Sequence, residues 1–310
     1  MSTIIFGPTG NVASSLALSA ANHPSLQPLV LAMRDPSKPI PHLPPSLESS
    51  SDMRRIRADL SDPSSVLSAV RSSSAKRAFL YLARDSTDHM RGTIEALRAG
   101  GVEFVVYLSS AGVHDAVDEA DPVRYRHAVV ERNLREVFGP EGYVAMRPGM
   151  FASNAVMWWK GGIAKGEVRL YAGDFRADWI APGDIGAVAA AVLARGGLEG
   201  GGCVLDLLGP EDMSFRDVIK VLAKVAGKDV RIVDADAGEG IKEFMALGLP
   251  EPVAAHVIQF LGEGLEKGGV KVMLQDVVYE AAVANVERYK GKPAMRFAEW
   301  AEENRGDIVG

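Results

Sequence analysis

Seven residues near the start of the chain have the composition of a phosphate-binding turn. The run Gly7-Pro8-Thr9-Gly10-Asn11-Val12-Ala13 directly follows an apolar stretch and has the spacing G-x-x-G-x-x-A, one residue longer than the usual dinucleotide pattern. Its glycines allow a tight turn and a close approach to a pyrophosphate, and the following helix would point free amides at the phosphates. We therefore predict a nucleotide site. The alternative is a purely structural turn. The predicted cofactor contacts are Gly7, Thr9, Gly10, Asn11 and Val12.

The end of the second apolar run indicates which dinucleotide is preferred. An acid at this place accepts a hydrogen bond from the ribose 2′-hydroxyl of NAD, whereas an arginine pairs with the 2′-phosphate of NADP. Arg34 follows the run 29–33, so we predict NADP(H). If the strand ends one residue later, Asp35 faces the ribose instead, and a solvated charge is the simpler interpretation of Arg34. Asp59 and Leu60, after the third apolar run, are predicted to lie beside the adenine.

Candidate proton donors lie between residues 110 and 131. His127 and Glu131 are four residues apart, so on a helix they share a face. An imidazole with a pKa near its usual value of about 6.5, oriented by a carboxylate, is a suitable general acid. The alternative is a pair that only fixes the helix. Tyr125 and Ser110 are secondary candidates, and Ser109 is predicted to contact the cofactor, because ligands of open α/β sheets collect at the carboxyl ends of strands.

The segment after the sixth apolar run, residues 143–146, is suited to binding a flat apolar ligand. Pro148 follows that run, so its backbone is predicted to line the nicotinamide. Trp158 and Trp159 of this segment could equally well serve only hydrophobic packing. A lone histidine on the 127–131 stretch, without a His-Glu-x-x-His pattern, indicates no metal site. The predicted substrate contacts are Phe151, Asn154, Trp158, Trp159 and His114.

Short apolar runs alternate with helix-compatible stretches of about a dozen residues, which is the pattern of βαβ units. We predict the α/β class, with a doubly wound parallel sheet of Rossmann type and a smaller C-terminal substrate-binding region. The nucleotide-binding domain is predicted to span residues 1–155 and to continue over about 178–208. Residues 156–177 and 209–310 are predicted to cover the cleft, and the proline-rich stretch 36–52 to form an exposed loop.

Composition excludes several classes of function. The chain has 310 residues, of which 47% are hydrophobic and 24% are charged, so it can bury a large core. A net charge of −6 gives no positive field for nucleic acid. The single cysteine, Cys203, excludes an internal disulfide and suits a reducing compartment. Without a stretch long enough to span a membrane, we expect a cytoplasmic protein that binds neither nucleic acid nor membranes; no oligomeric state is predicted.

Further motifs follow the glycine turn in a fixed order. They are Arg34-Asp35-Pro36, Tyr107-Leu108-Ser109-Ser110, His127 with Glu131, Met146-Arg147-Pro148-Gly149-Met150-Phe151 with Asn154, Asp184-Ile185, and Leu208-Gly209-Pro210-Glu211. Together they resemble the NmrA-like family of atypical short-chain dehydrogenases/reductases, and the likeness extends to the tail 291–304. Relatives include NADP-dependent reductases of quinones, enones and imines, and redox-sensing regulators that reduce nothing. The resemblance implies a Rossmann fold that binds NADP(H), and it leaves the chemistry open.

The chain departs from the wider superfamily on the predicted catalytic helix. A typical member uses a Tyr-x-x-x-Lys pair, in which the ammonium lowers the phenol pKa and holds the ribose. Here Val129 stands four residues after Tyr125, and no lysine occurs over 124–138. We predict an NADPH-dependent reductase of an apolar, aromatic or polyketide-like carbonyl, enone or quinone of secondary metabolism, with His127 or water as proton donor. The alternatives are an NADP(H)-sensing regulatory protein that contacts a protein partner, and a non-redox isomerase or cyclase.

Overall fold

A seven-stranded parallel sheet forms the centre of the protein. The computed structural model describes residues 2–50, 52–269, 274 and 279–309. Its strands are β1 (Ser2–Phe6), β2 (Leu29–Met33), β3 (Met53–Arg57), β4 (Ala75–Tyr81), β5 (Phe104–Leu108), β6 (Tyr143–Pro148), β7 (Met150–Phe151), β8 (Glu167–Leu170), β9 (Arg176–Ile180), β10 (Val204–Leu207), β11 (Asp212–Ser214) and β12 (Arg231–Asp234). The order in the main sheet is β10-β6-β5-β4-β1-β2-β3. The predicted fold class is therefore confirmed.

Helices connect the strands, and some of them begin at a side chain that caps their first amides. They are α1 (Asn11–Ala21), α2 (Pro45–Ser50), α3 (Pro63–Ser73), α4 (Arg91–Gly100), α5 (Pro122–Phe138), α6 (Ala152–Lys165), α7 (Pro182–Arg195), α8 (Phe215–Ala226), α9 (Ala237–Ala246), α10 (Glu251–Lys267), α11 (Tyr279–Lys290), α12 (Phe297–Glu303) and α13 (Arg305–Val309). The Asp62 side chain caps α3 by accepting from the amides of Ser64 and Ser65. This bond satisfies amides that have no partner within the helix.

Alternate residues of the central strands pack against different helices. Ile5 of β1 belongs to the apolar cluster formed with α1 and α7, whereas Ile4 and Phe6 belong to the cluster formed with α3, α4 and α5. All three side chains are buried. Because successive side chains of a strand point to opposite faces, this pattern places helices on both faces of the sheet. The carboxyl ends of the strands are left free to bind a ligand.

The second half of the chain builds a separate aromatic core. Strands β7, β9 and β11 form a small sheet, β8 pairs with β12, and α6 and α8 pack beside them. Strand β10 joins the main sheet through β6, whereas β9 belongs to the small sheet rather than to the main one. The division at residues 155, 178 and 208 remains a prediction. No helix in the described ranges is both long and apolar enough to cross a membrane.

The stretch 36–52, predicted as an exposed loop, contains helix α2 and two buried side chains. Ile40 and Leu43 are each 6% exposed and join the core around α1. Glu48 of α2 accepts two hydrogen bonds from Arg55 of β3, at 2.5 and 2.8 Å. The prediction of an exposed loop was therefore wrong for helix α2 and for Ile40 and Leu43, whereas most of the other described residues of the stretch are exposed. Prolines flank these residues in the sequence. Because proline favours turns, the sequence pattern does not reveal helix α2 or the two buried side chains.

Candidate functional site

The glycine turn has the strand–turn–helix geometry that the sequence predicts. Gly7 directly follows β1 and adopts a left-handed backbone angle, φ +67°, which favours glycine. Gly10 donates its amide hydrogen to the Gly7 carbonyl at 3.0 Å and serves as the N-cap of α1 without any side-chain cap. The first amides of a helix lack intrahelical partners. The turn therefore presents uncapped N–H groups at the carboxyl edge of the sheet, where they can bind an anion.

A cleft of about 90 Å³ lies beside this turn and is lined by five of the ten predicted cofactor contacts. The predicted residues that line it are Gly7, Thr9, Arg34, Asp59 and Leu60. Asp35, the alternative to Arg34, also lines it, together with Lys38 and Tyr81. Lys38 and the Tyr81 side chain are absent from the predicted contacts. Tyr81 ends β4, which neighbours β1 in the sheet, so the strand order 3-2-1-4 is the signal that places it beside the turn.

Among the described charged side chains of this cleft, the two carboxylates accept hydrogen bonds and the Arg34 guanidinium donates none. The Asp35 carboxylate accepts hydrogen bonds from the side chain and backbone of Ser37, which lower its pKa. The Asp59 carboxylate is held in the same way by the backbone and side chain of Ser61, which lower its pKa. In the described part of the chain, no acceptor lies within hydrogen-bonding distance of Arg34. Both acids are therefore hydrogen-bonded by neighbouring serines, and the exposed Arg34 guanidinium lines the cleft, where its charge also lowers the pKa of Asp59.

A buried ion pair lies at the carboxyl ends of β5 and β6. Glu131 of α5 is 4% exposed. It accepts hydrogen bonds from Ser109 Oγ at 2.5 Å and from Arg147 Nε and Nη2 at 3.0 and 2.6 Å. Burial acts to lower the pKa of Arg147, but hydrogen bonding and charge attraction from Glu131 outweigh it, and the pKa is raised. The pair therefore fixes α5 against β6 at the predicted nicotinamide end.

His127 has a different partner from the one predicted. Its Nδ1 lies 2.8 Å from the hydroxyl of Tyr107, a fully buried residue of β5, while Glu131 bonds to Arg147 and Ser109. The proton-sharing His127–Glu131 pair is therefore not formed. Burial, together with the charges of Arg126 and Arg84, lowers the pKa of His127 to about 4. The imidazole is neutral at physiological pH, so its charged form cannot serve as a general acid there.

The other candidate proton donors have unremarkable contacts. Tyr125 packs against Val113 and Val117, and its ring meets that of His89 edge-on with centroids 5.8 Å apart. His114 is exposed, and Ser110 is partly buried beside Ser109. Among the described residues, no basic group is hydrogen-bonded to any of these three side chains.

The two tryptophans of α6 belong to the aromatic core. Trp159 is 7% exposed, and the ring centroids of Trp158 and Trp159 are 5.6 Å apart. Trp158 also contacts Trp179 and Phe244, with centroids at 6.2 and 5.7 Å. Both side chains therefore pack within the aromatic core, as the alternative interpretation of the sequence predicts. Phe151 lies at the end of β7 and packs partly buried against the α1–α7 core. Asn154 is partly buried on α6.

A buried carboxyl group lies behind the predicted nicotinamide loop. Asp178 of β9 is 0% exposed, and its Oδ2 accepts the Gly209 amide hydrogen at 3.2 Å. Its Oδ1 has no hydrogen-bond partner in the described structure. A Cβ on Gly149, the residue after Pro148, would overlap this carboxyl group and lie 2.8 Å from Oδ1. Burial raises the pKa of Asp178 to about 7.

A larger cavity of about 460 Å³ lies on the outer side of α1. It includes the predicted Asn11, and its other walls come from α6, the start of α7 and the helices α12 and α13. Asn11 therefore borders both the glycine turn and this cavity. Within the described ranges, no group of three or more histidine, cysteine, aspartate or glutamate side chains is arranged to hold a metal ion.

Comparison with known proteins identifies the family. The nitrogen metabolite regulation-like protein bik4 of Gibberella fujikuroi is 32% identical, over 96% of this chain and 95% of its own length. The chain belongs to the NmrA-like family. The chain matches no family model.

This NmrA-like protein is also similar to reductases. The (4-alkanoyl-5-oxo-2,5-dihydrofuran-3-yl)methyl phosphate reductase of Streptomyces griseus is 30% identical, over 67% of this chain and 68% of its own. The NADPH-dependent quinone oxidoreductase of Escherichia coli, solved with NADPH, superposes with a TM-score of 0.73 and 21% identity, covering 97% of this chain and 99% of that one. The second likeness shows the shared fold. The family therefore includes a regulation-like relative and a reductase relative.

Proposed function

We propose that this NmrA-like protein is an NADP(H)-dependent reductase of an apolar, aromatic or polyketide-like carbonyl, enone or quinone. The observation that carries the cofactor assignment is the exposed Arg34 guanidinium lining the cleft beside the uncapped glycine turn. A planar guanidinium suits a 2′-phosphate, and free amides suit a pyrophosphate. The names of the reductase relatives support the same cofactor and reaction class.

The chain's own residues divide the work of binding. Gly7, Thr9 and the start of α1 would hold the pyrophosphate, and Arg34 with Lys38 the 2′-phosphate. Ser109 and the backbone at Pro148 would hold the nicotinamide end, which the ion pair beneath them keeps rigid. When bound, the cofactor supplies a hydride. Binding the substrate within reach of it accounts for much of the rate.

Proton delivery falls to bound water in this proposal. His127 is neutral and bonded to Tyr107, which leaves its charged form unpopulated at neutral pH. Val129 replaces the lysine of the typical pair. Ser110 and Tyr125 remain secondary candidates. Phe151, Asn154 and His114 are retained as substrate contacts, whereas Trp158 and Trp159 support them from the aromatic core.

A regulatory role without catalysis is the second candidate. The missing lysine, the neutral His127 and a relative named for nitrogen metabolite regulation favour it. In that case the protein would sense NADP(H) and pass the signal to a protein partner. We place either activity in the cytoplasm, which the single Cys203 without a possible internal disulfide supports.

We expect purified protein to consume NADPH when it is mixed with quinones or aromatic enones. The loss of NADPH absorbance measures the rate, with the same mixture lacking protein as control. Tight NADPH binding without consumption of any compound of the panel would contradict the reductase and favour the sensor. Conversion of a compound with the NADPH absorbance unchanged would point to the non-redox isomerase or cyclase.

Replacing Arg34 with alanine is expected to weaken NADPH binding by roughly 10- to 100-fold, because charge-assisted hydrogen bonds contribute about 1.5–3 kcal/mol. NADH lacks the 2′-phosphate, so its Kd should change little. Calorimetric titration with both cofactors measures the difference. Arg54→Ala is the matched control, since Arg54 bonds to Ser72 away from the cleft. Equal losses for NADPH and NADH would show that Arg34 does not select the phosphate.

A further inference from the structure

The Tyr81 ring covers the glycine turn in this structure. Ile5 of β1 pairs with Phe79 of β4, so Gly7 and Tyr81 stand level, two residues further along each strand. A Cβ on Gly7 would overlap the Tyr81 ring and lie 3.0 Å from its Cζ and 3.1 Å from its hydroxyl oxygen. The ring therefore rests directly on the turn that would receive the pyrophosphate.

The cleft that remains is smaller than a usual cofactor site. Its volume is about 90 Å³, whereas sites for small molecules and cofactors are typically about 300–1,000 Å³. The floor cannot give way, because Phe6, Ala32 and Met33 are buried in the strands of the main sheet. Tyr81 is 37% exposed, so rotation of this side chain is the change that enlarges the cleft with least loss of packing.

We propose that Tyr81 is a gate over the adenosine half of the cleft, closed in the free protein and displaced when the nucleotide enters. This inference rests on the proposed function and names a residue that controls access to the same site. Once rotated, the ring offers an apolar face to the adenosine, as aromatic residues commonly do for bases. Burial raises the pKa of Tyr81, which keeps its hydroxyl protonated and able to donate to a phosphate or ribose oxygen.

The gate makes a kinetic prediction that a fixed wall does not. Binding that requires a conformational change is slowed in its association step. Tyr81→Ala removes the ring, so the association rate constant for NADPH should rise about three- to tenfold, and dissociation should also quicken because a contact is lost. Tyr81→Phe keeps the ring and should associate at nearly the wild-type rate. Stopped-flow fluorescence of NADPH measures these rates, with circular dichroism as the check on folding.

Two smaller probes locate the effect. Adenosine 2′,5′-bisphosphate should show the same faster association with Tyr81→Ala, whereas nicotinamide mononucleotide should not.

Equal association rates for wild type, Tyr81→Ala and Tyr81→Phe would overturn the gate and leave NADP(H) binding intact. Absence of NADPH binding in all three proteins would overturn the proposed function together with the gate. NADPH binding by Tyr81→Ala, without binding by wild type or Tyr81→Phe, would support a gate in which the ring blocks entry completely.

Discussion

Replacing Glu131 with alanine is expected to lower the free energy of unfolding by about 3–5 kcal/mol, because the largely buried Arg147 loses its hydrogen-bonded partner and is left with the attraction of Asp206 on the adjacent strand. The Arg147 side chain is 16% exposed and would lose both of its hydrogen bonds to the carboxylate. Ser109 would lose the acceptor for its hydroxyl. Denaturant unfolding followed by fluorescence or circular dichroism measures the loss.

A second glutamate of α5 provides the matched control for this substitution. Glu136 forms an ion pair with Arg91 on the surface, and exposed pairs contribute about 0–1 kcal/mol. Glu136→Ala should therefore have a small effect on the same helix. Adding Arg147→Met to Glu131→Ala should recover part of the loss, since the unpaired charge is then absent. A loss below about 1 kcal/mol for Glu131→Ala would contradict the buried ion pair.

Replacing Asp178 with asparagine is expected to stabilise the protein above pH 7. The pKa of this carboxyl group is about 7 in the folded protein, against an ordinary value of 3.8. Between these values the folded state holds a proton that the unfolded state has released, so the free energy of unfolding falls as pH rises through this range. The difference corresponds to about 4 kcal/mol. Asparagine does not ionise, so at pH 8 we expect a gain of about 2–4 kcal/mol.

The pH dependence separates this effect from a change in packing. Asp178→Asn and wild type should differ little near pH 4 and increasingly up to pH 8, as measured by denaturant unfolding at each pH. Asp174→Asn is the control, because Asp174 is an exposed partner of Arg216 nearby. A constant difference between wild type and Asp178→Asn over the whole range would show that the buried carboxyl group does not titrate as inferred.

The sequence predicts the parts of this protein that depend on local patterns. Apolar runs that alternate with helix-compatible stretches predict the main sheet, and the glycine motif between strand and helix predicts a tight turn, in which Gly7 adopts a left-handed angle. The sequence also predicts that Arg34 lies at the end of β2, because it directly follows the apolar run 29–33. These features depend on residues close together in the chain, so their physics is visible without tertiary structure.

Contacts between distant residues could not be predicted in this way. The Tyr107 partner of His127 lies on another element, and a spacing of four residues indicates a shared helix face without excluding stronger partners elsewhere. The short helix α2 is hidden among prolines. The Tyr81 ring lies over Gly7 only because β4 is the neighbour of β1. Such features require the strand order and the side-chain packing.

The position of β10 ties the two halves of the molecule into one cooperative unit. This strand, Val204–Leu207, completes the edge of the main sheet beside β6, although α6 and the small-sheet strands β7 and β9 lie between β6 and β10 in the chain. A fragment ended after residue 155 would leave the backbone groups of β6 without their partner, an exposed edge prone to aggregation. Neither half is therefore a transferable module, and chimeras within the family should exchange complete chains or surface loops.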